Sequence, residues 1–142
     1  MTTRAQLSEL AEHEDRHTEL MRASLQGQTA TVKALLEGGA DVNQRDDEGR
    51  TALMFAVTNV QTDCARALLQ HGADVNVKAN DGSTALMLAA SSGDSEIVRD
   101  LLSKGADVSA KFNETGKTAL ILAKEKGYDN IVRLLEAAGA NQ

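Results

Sequence analysis

An all-α repeat solenoid is the fold class this sequence predicts, and three observations predict it. The phrase GGADVN at 38–43 returns as HGADVN at 71–76, as KGADVS at 104–109 and, clipped, as AGANQ at 138–142. Its glycines, Gly39, Gly72, Gly105 and Gly139, lie 33, 33 and 34 residues apart, a period that marks a stack of short supersecondary units. Between them a threonine block (TALM at 51–54 and 84–87, TALI at 118–121) and a leucine pair (68–69, 101–102, 134–135) keep the same spacing.

Each unit opens on a polar loop that ends in glycine: DDEG at 46–49, ANDG at 79–82 and NETG at 113–116. The threonine that follows is a good helix N-cap, since its hydroxyl accepts from an orphan backbone N–H. A first helix of about nine residues is therefore expected to start near Thr51, Thr84 and Thr118. Eleven residues later Thr62, Ser95 and Asp129 mark a second helix start, within one residue, and Gly72, Gly105 and Gly139 suit the left-handed residue that closes it. Neither helix is long enough to stand alone in water, so stability must come from stacking. Ala56, Ala89 and Ala123 recur where small side chains let neighbouring helices approach.

The first unit is degenerate. HTELM at 17–21 aligns with RTALM at 50–54, Ala23 with Ala56, Thr29 with Thr62, and Leu35–Leu36 with Leu68–Leu69. The expected organisation is one domain: an extension over 1–16, either helical or frayed, a capping repeat over 17–45, repeats over 46–78 and 79–111, and a capping repeat over 112–142. Polar residues in otherwise apolar slots support the capped ends: Arg22 where Phe55, Leu88 and Leu122 stand, and Ser24 and Lys124 where Val57 and Ala90 stand. On this reading the chain is a complete four-repeat protein.

Taken together, the loop, threonine block, alanine, glycine corner, leucine pair and Gly-Ala-Asp-Val-Asn resemble the ankyrin repeat over about residues 17–142. The family's proline is replaced by Ala52, Ala85 and Ala119, and its histidine by Met21, Met54, Met87 and Ile121. The resemblance implies helix-turn-helix units with β-hairpin-like loops and a non-catalytic module, an adaptor or an inhibitor, that binds a partner protein on the concave face of loop tips and first helices. Carried over by position, that face holds Asp47, Glu48, Arg50, Thr58 and Asn59 in unit two, and Asn80, Asp81, Ser83, Ser91 and Ser92 in unit three. In unit four it holds Glu114, Thr115, Lys117, Glu125 and Lys126. The same positions would vary in loops that are merely solvated.

Two departures from the period add to this map. The loop KFNETG is one residue longer than KANDG and puts Phe112 where Ala79 stands, as a binding anchor or as packing beneath the longer loop. Val60 replaces the corner glycine of Gly27, Gly93 and Gly127. A β-branched residue is poor at positive φ, so either Asn59 takes that conformation or the corner differs, and Val60 is then open to a partner.

Composition narrows the function further. The net charge is −6 and aromatic residues make up 2% of the chain, which argues against nucleic acid as partner. Acidic loops in the first three units, against Lys117, Lys124 and Lys126 in the fourth, suggest a partner with a basic patch. No segment approaches the roughly 18 apolar residues of a membrane helix, and Met1 is followed by polar TTRAQ. A cytoplasmic monomer without membrane contact is expected.

HEDRH at 13–17 matches the zinc motif in which two histidines one helical turn apart hold the metal and the glutamate activates water. A small zinc hydrolase built on His13, Glu14 and His17 is therefore the competing reading from another class. Asp15 and Arg16 put charges where such helices carry neutral residues, so a charged segment and no metal or cofactor is expected. A stable scaffold without a dedicated partner is the third reading. Cys64 shares the slot of Ile97 and Ile131 and reads as core. The Met21, Met54 and Met87 column reads as a packing ladder.

Overall fold

The computed structural model describes residues 18–140; the expected extension over 1–16 and the HEDRH segment through His17 lie outside them. Eight helices follow in pairs. Helix α1 covers 18–26 and pairs with α2 (Thr29–Glu37). Next come α3 (Ala52–Thr58) with α4 (Thr62–Gln70), α5 (Ala85–Ser92) with α6 (Ser95–Ser103), and α7 (Ala119–Lys126) with α8 (Asp129–Ala137). First helices stack on first helices and second on second.

The threonine blocks act as expected. Thr51, Thr84 and Thr118 are extended, and their hydroxyls accept from the backbone N–H of Met54, Met87 and Ile121 at 3.5, 3.3 and 3.3 Å. The second helices differ. Their N-caps are Gln61, Asp94 and Tyr128, one residue before Thr62, Ser95 and Asp129, and of these only Asp94 caps with its side chain, accepting from Ile97 N at 3.3 Å. Thr62 instead gives its hydroxyl to Asp94 Oδ2 of the next unit at 2.5 Å.

The core is a column of small and aliphatic side chains. Ala56, Ala89 and Ala123 are fully buried, as are Leu68, Ile97, Leu101 and Leu135. Cys64 is buried among them, 3.3 Å from the hydroxyl of Thr29. Met54 and Met87 are buried, whereas Met21 and Ile121 at the outer units are half-covered. Of the two polar residues in apolar slots, Lys124 is exposed but Ser24 is not. Ser24 is completely buried and donates to Leu20 O at 2.7 Å, so its polarity is satisfied inside α1 and it does not face solvent.

Hydrogen bonds stitch unit to unit. Asn43 accepts from Asp74 N at 2.8 Å and reaches Gly72 O at 3.5 Å; Asn76 accepts from Asp107 N at 2.8 Å and donates to Gly105 O at 3.1 Å. Ser109 holds the equivalent place in the third unit, and its hydroxyl turns back to Asp107 Oδ1 at 2.7 Å. The loops are hairpin turns. Asp46 and Arg50 close the first through the bond from Asp46 N to Arg50 O, and Ala79 and Ser83 close the second alike. Phe112 and Lys117 close the third, whose turn takes one more residue. The extra residue of the 34-residue period is absorbed inside this turn, and the helices stay in step.

Val60 itself takes the left-handed conformation, with φ of 56°, while Asn59 remains at −97°. The overlying unit explains why a side chain fits there. A Cβ on Gly27 would meet Gln61 Oε1 at 2.3 Å, and one on Gly93 would meet the Tyr128 ring at 2.9 Å. The residue one unit ahead of Val60 is Asp94, shorter and drawn into its own cap. Val60 is 48% exposed and is the large apolar side chain most open to solvent among the described residues.

Candidate functional site

Two clefts open side by side on the loop and first-helix face. The larger, about 450 Å³, runs across the first three units. Its floor is Leu25, Met54, Phe55 and Leu88, and its rim is Glu48, Arg50, Thr58, Asn80 and Asp81. The smaller, about 350 Å³, lies on the far side of the second hairpin, between Asn80 and Asp81 on one wall and Phe112, Glu114, Thr115 and Lys117 on the other. The Asn80–Asp81 hairpin tip is thus the ridge between them.

The sequence explains how each wall is held. Asp46 starts a turn in which its Oδ1 accepts from the N–H of Glu48 and Arg50 at 3.0 and 2.8 Å. Its Oδ2 then takes the Arg50 guanidinium at 2.9 Å. Burial pushes the Asp46 carboxyl up, but the N–H groups and the guanidinium together outweigh it and hold the group below the usual carboxylate range. The same guanidinium touches Glu48 at 3.5 Å and lies 4.8 Å from the centre of the Phe55 ring, a cation–π distance. Arg50 thus makes its close contacts within its own unit, and its charge also reaches Asp81 of the next.

Asp81 is fixed by Ser83, whose hydroxyl and N–H donate to Oδ1 at 2.6 and 2.9 Å. The hydroxyl bond is the main reason the Asp81 carboxyl sits below its ordinary range. Ser83 is only 5% exposed. It supports the ridge from beneath and lines the larger cleft. Asn80 ties the ridge on both sides. Its amide donates to Asp47 O at 3.1 Å, its N–H to Glu48 O at 2.9 Å, and its carbonyl accepts from Asn113 Nδ2 at 2.9 Å.

Other expected face residues work at the seams. Asn59 donates to Leu25 O at 3.0 Å, and Ser92 to Thr58 O at 3.3 Å, so both join their own unit to the one before. Thr58 returns its hydroxyl to Met54 O at 2.8 Å, and Ser91 is half-buried. Asp47, Glu48 and Glu114 are exposed carboxylates on the loop tips. Lys117 is paired with Glu125 at 2.8 Å, which weakens the positive end of the face expected from the lysines; Lys124 and Lys126 stay exposed. Phe112 is half-buried and lines the smaller cleft, so it is both packed and presented. The apolar floor was missed in the sequence. The slot shared by Phe55 and Leu88 was its signal, since an amphipathic first helix needs a reason to keep large apolar groups beside a polar loop.

Among the described residues no group of three histidine, cysteine or acidic side chains is placed to hold a metal, and no helix is long and apolar enough to cross a membrane. His13, Glu14 and His17 lie outside those residues. His71 places Nδ1 2.9 Å from Ala67 O at the end of α4.

Stacked two-helix units with hairpin loops on one edge define a helical repeat protein. A family model for ankyrin repeats (3 copies) matches residues 20–112 and again 78–142. The chain belongs to the ankyrin repeat family, whose members are generally protein–protein interaction modules. No curated protein matches the chain.

Proposed function

We propose that this chain binds a partner protein on the hairpin and first-helix face of units two to four and acts without catalysis, as an adaptor or as an inhibitor of that partner. One observation carries the reading: an apolar floor of Leu25, Phe55 and Leu88 lies beneath a rim with the carboxylates of Glu48 and Asp81. Apolar surface ringed by polar groups is the pattern of an interface, where a buried anchor contributes the affinity and the rim selects the partner. Exposed acids at Asp47, Glu48, Asp81 and Glu114 favour a partner with a basic patch. The single buried Cys64 accords with action in the cytoplasm.

The test is a photo-crosslinking side chain placed at Thr58 or Thr115 on the clefts, with Arg99 on the exposed face of α6 as the control position. A discrete adduct from the first two and none from Arg99 supports the reading. Adducts from Arg99 alone, or none from any position, contradict it.

A further inference from the structure

The two clefts share one ridge, and this shared wall limits what can lie across them. Asn80 and Asp81 line both. On one side stand Phe55 and Leu88, on the other Phe112, so apolar surface flanks a ridge that carries a carboxylate. The ridge is rigid. Asn80 is bonded to the hairpin before it and to the one after it, and Asp81 O accepts from Asn113 N at 2.9 Å. Asp81 Oδ1 is held by Ser83, which keeps the group ionised and leaves Oδ2 to accept from an incoming donor. Of the two cations that line the clefts, Arg50 is bonded to Asp46 and Glu48 and lies over Phe55, and Lys117 is bonded to Glu125, although Arg50 still acts on Asp81 at longer range. Asp47, Asp81 and Glu114 are the exposed carboxylates around the ridge, three against these two paired cations.

We propose that the occupant is an extended segment of the partner, with two apolar side chains about three residues apart and a lysine or arginine between them. This rests on the protein-binding reading above and specifies its ligand. Neighbouring units of helices pack about 8–10 Å apart, which sets the separation of the clefts. A polyproline II-like chain rises about 3.1 Å per residue with three residues per turn, so residues i and i+3 share a face about 9 Å apart. One apolar side chain then enters the cleft over Phe55 and Leu88, and the other lies on Phe112. The intervening lysine or arginine leaves the backbone about 120° off that face, and its long side chain reaches back to Asp81 for a charge-assisted bond to the carboxylate. An acidic or phosphorylated segment is repelled by the same groups.

The full-length chain, immobilised, is panned against a displayed library of random dodecapeptides, and the enriched peptides are resynthesised for titration. Peptides sharing an apolar pair at i and i+3 with an intervening Lys or Arg are expected. Asp81→Asn, which keeps the acceptor for Ser83, and Phe112→Ala, which restores the residue found at Ala79, should each weaken them about tenfold. Thermal unfolding of both variants verifies that they fold. Enriched peptides without the basic residue, affinities unchanged in the variants, or no enrichment at all would overturn the proposal. If a partner still crosslinks at Thr58 or Thr115 in that case, protein binding stands and only this ligand falls; if crosslinking fails as well, both fall.

Discussion

The first and second hairpins and the third each carry a left-handed glycine, yet they are under different constraints. Gly49 and Gly82 are buried beneath the next unit; a Cβ on Gly82 would stand 2.7 Å from Lys111 O and 2.6 Å from Asn113 Oδ1. Gly116 has the same left-handed backbone, φ of 69°, but nothing within 4 Å of where a Cβ would be. The asparagine seam behaves likewise: Asn43 and Asn76 each grip the following unit, and at Ser109 the grip stops. A repeated residue in this chain acquires its role from what is stacked upon it, and the tied middle units form the rigid walls of the clefts.

The sharpest way to break this comparison is Gly82→Ala beside Gly116→Ala. Both meet the left-handed penalty of about 1–2 kcal/mol, but only the first also collides with backbone. Gly82→Ala should lose at least about 2 kcal/mol more than Gly116→Ala in urea unfolding, as overpacked sites do. Equal losses would remove the distinction. Next in size is Asn76→Ala, which deletes two bonds to the next unit and should cost about 1–2 kcal/mol, against about 0.5 kcal/mol or less for Ser109→Ala. Hydrogen exchange should place the Asn76→Ala effect at the junction of units two and three.

A third substitution has the opposite sign. Val60 holds a left-handed conformation that costs a non-glycine residue about 1–3 kcal/mol, and glycine there loses about 0.5–1 kcal/mol in chain entropy. Val60→Gly should raise stability by about 1 kcal/mol, measured by thermal unfolding. The reverse change at the matching corner, Gly93→Val, should be strongly destabilising because the Tyr128 ring overlies it.

The smallest expected effect is on pH. Asp46 and Asp81 in the middle units and Asp107 beside Ser109 have folded-state pKa values below their unfolded ones. Their contribution is complete above the unfolded carboxylate value of about 4 and is lost as pH falls through the lower folded values. Stability should therefore decline below about pH 4, and Asp81→Asn should make that decline shallower in an acid titration followed by circular dichroism.

Much of the fold was legible because it is local and repeated. Thr51, Thr84 and Thr118 cap, and the glycines close helices, from backbone geometry alone. What escaped was set by neighbours. Asp94 caps α6 while Thr62 serves the next unit, and a list of capping residue types cannot choose between adjacent positions. Ser24 looked like a polar end and is buried, because a serine can satisfy its hydroxyl within its own helix. The matching corners at Gly27 and Gly93 have no room for a side chain beneath Gln61 and Tyr128, whereas Val60 is exposed. For the candidate site, Phe112 was visible as a break in the period, and Glu48 and Asp81 only as loop positions carried over from the family resemblance. The apolar floor and the shared ridge were not, since both arise from side chains about 33 residues apart in the chain.

The most direct measurement is the affinity of the crosslinked partner for the wild-type chain and for Asp47→Lys/Glu48→Lys, across a range of ionic strength. If acidic loop tips read a basic patch, the double variant binds more weakly and its affinity varies less with salt than that of the wild type. The same affinity and the same salt dependence in both would contradict the assignment of this face.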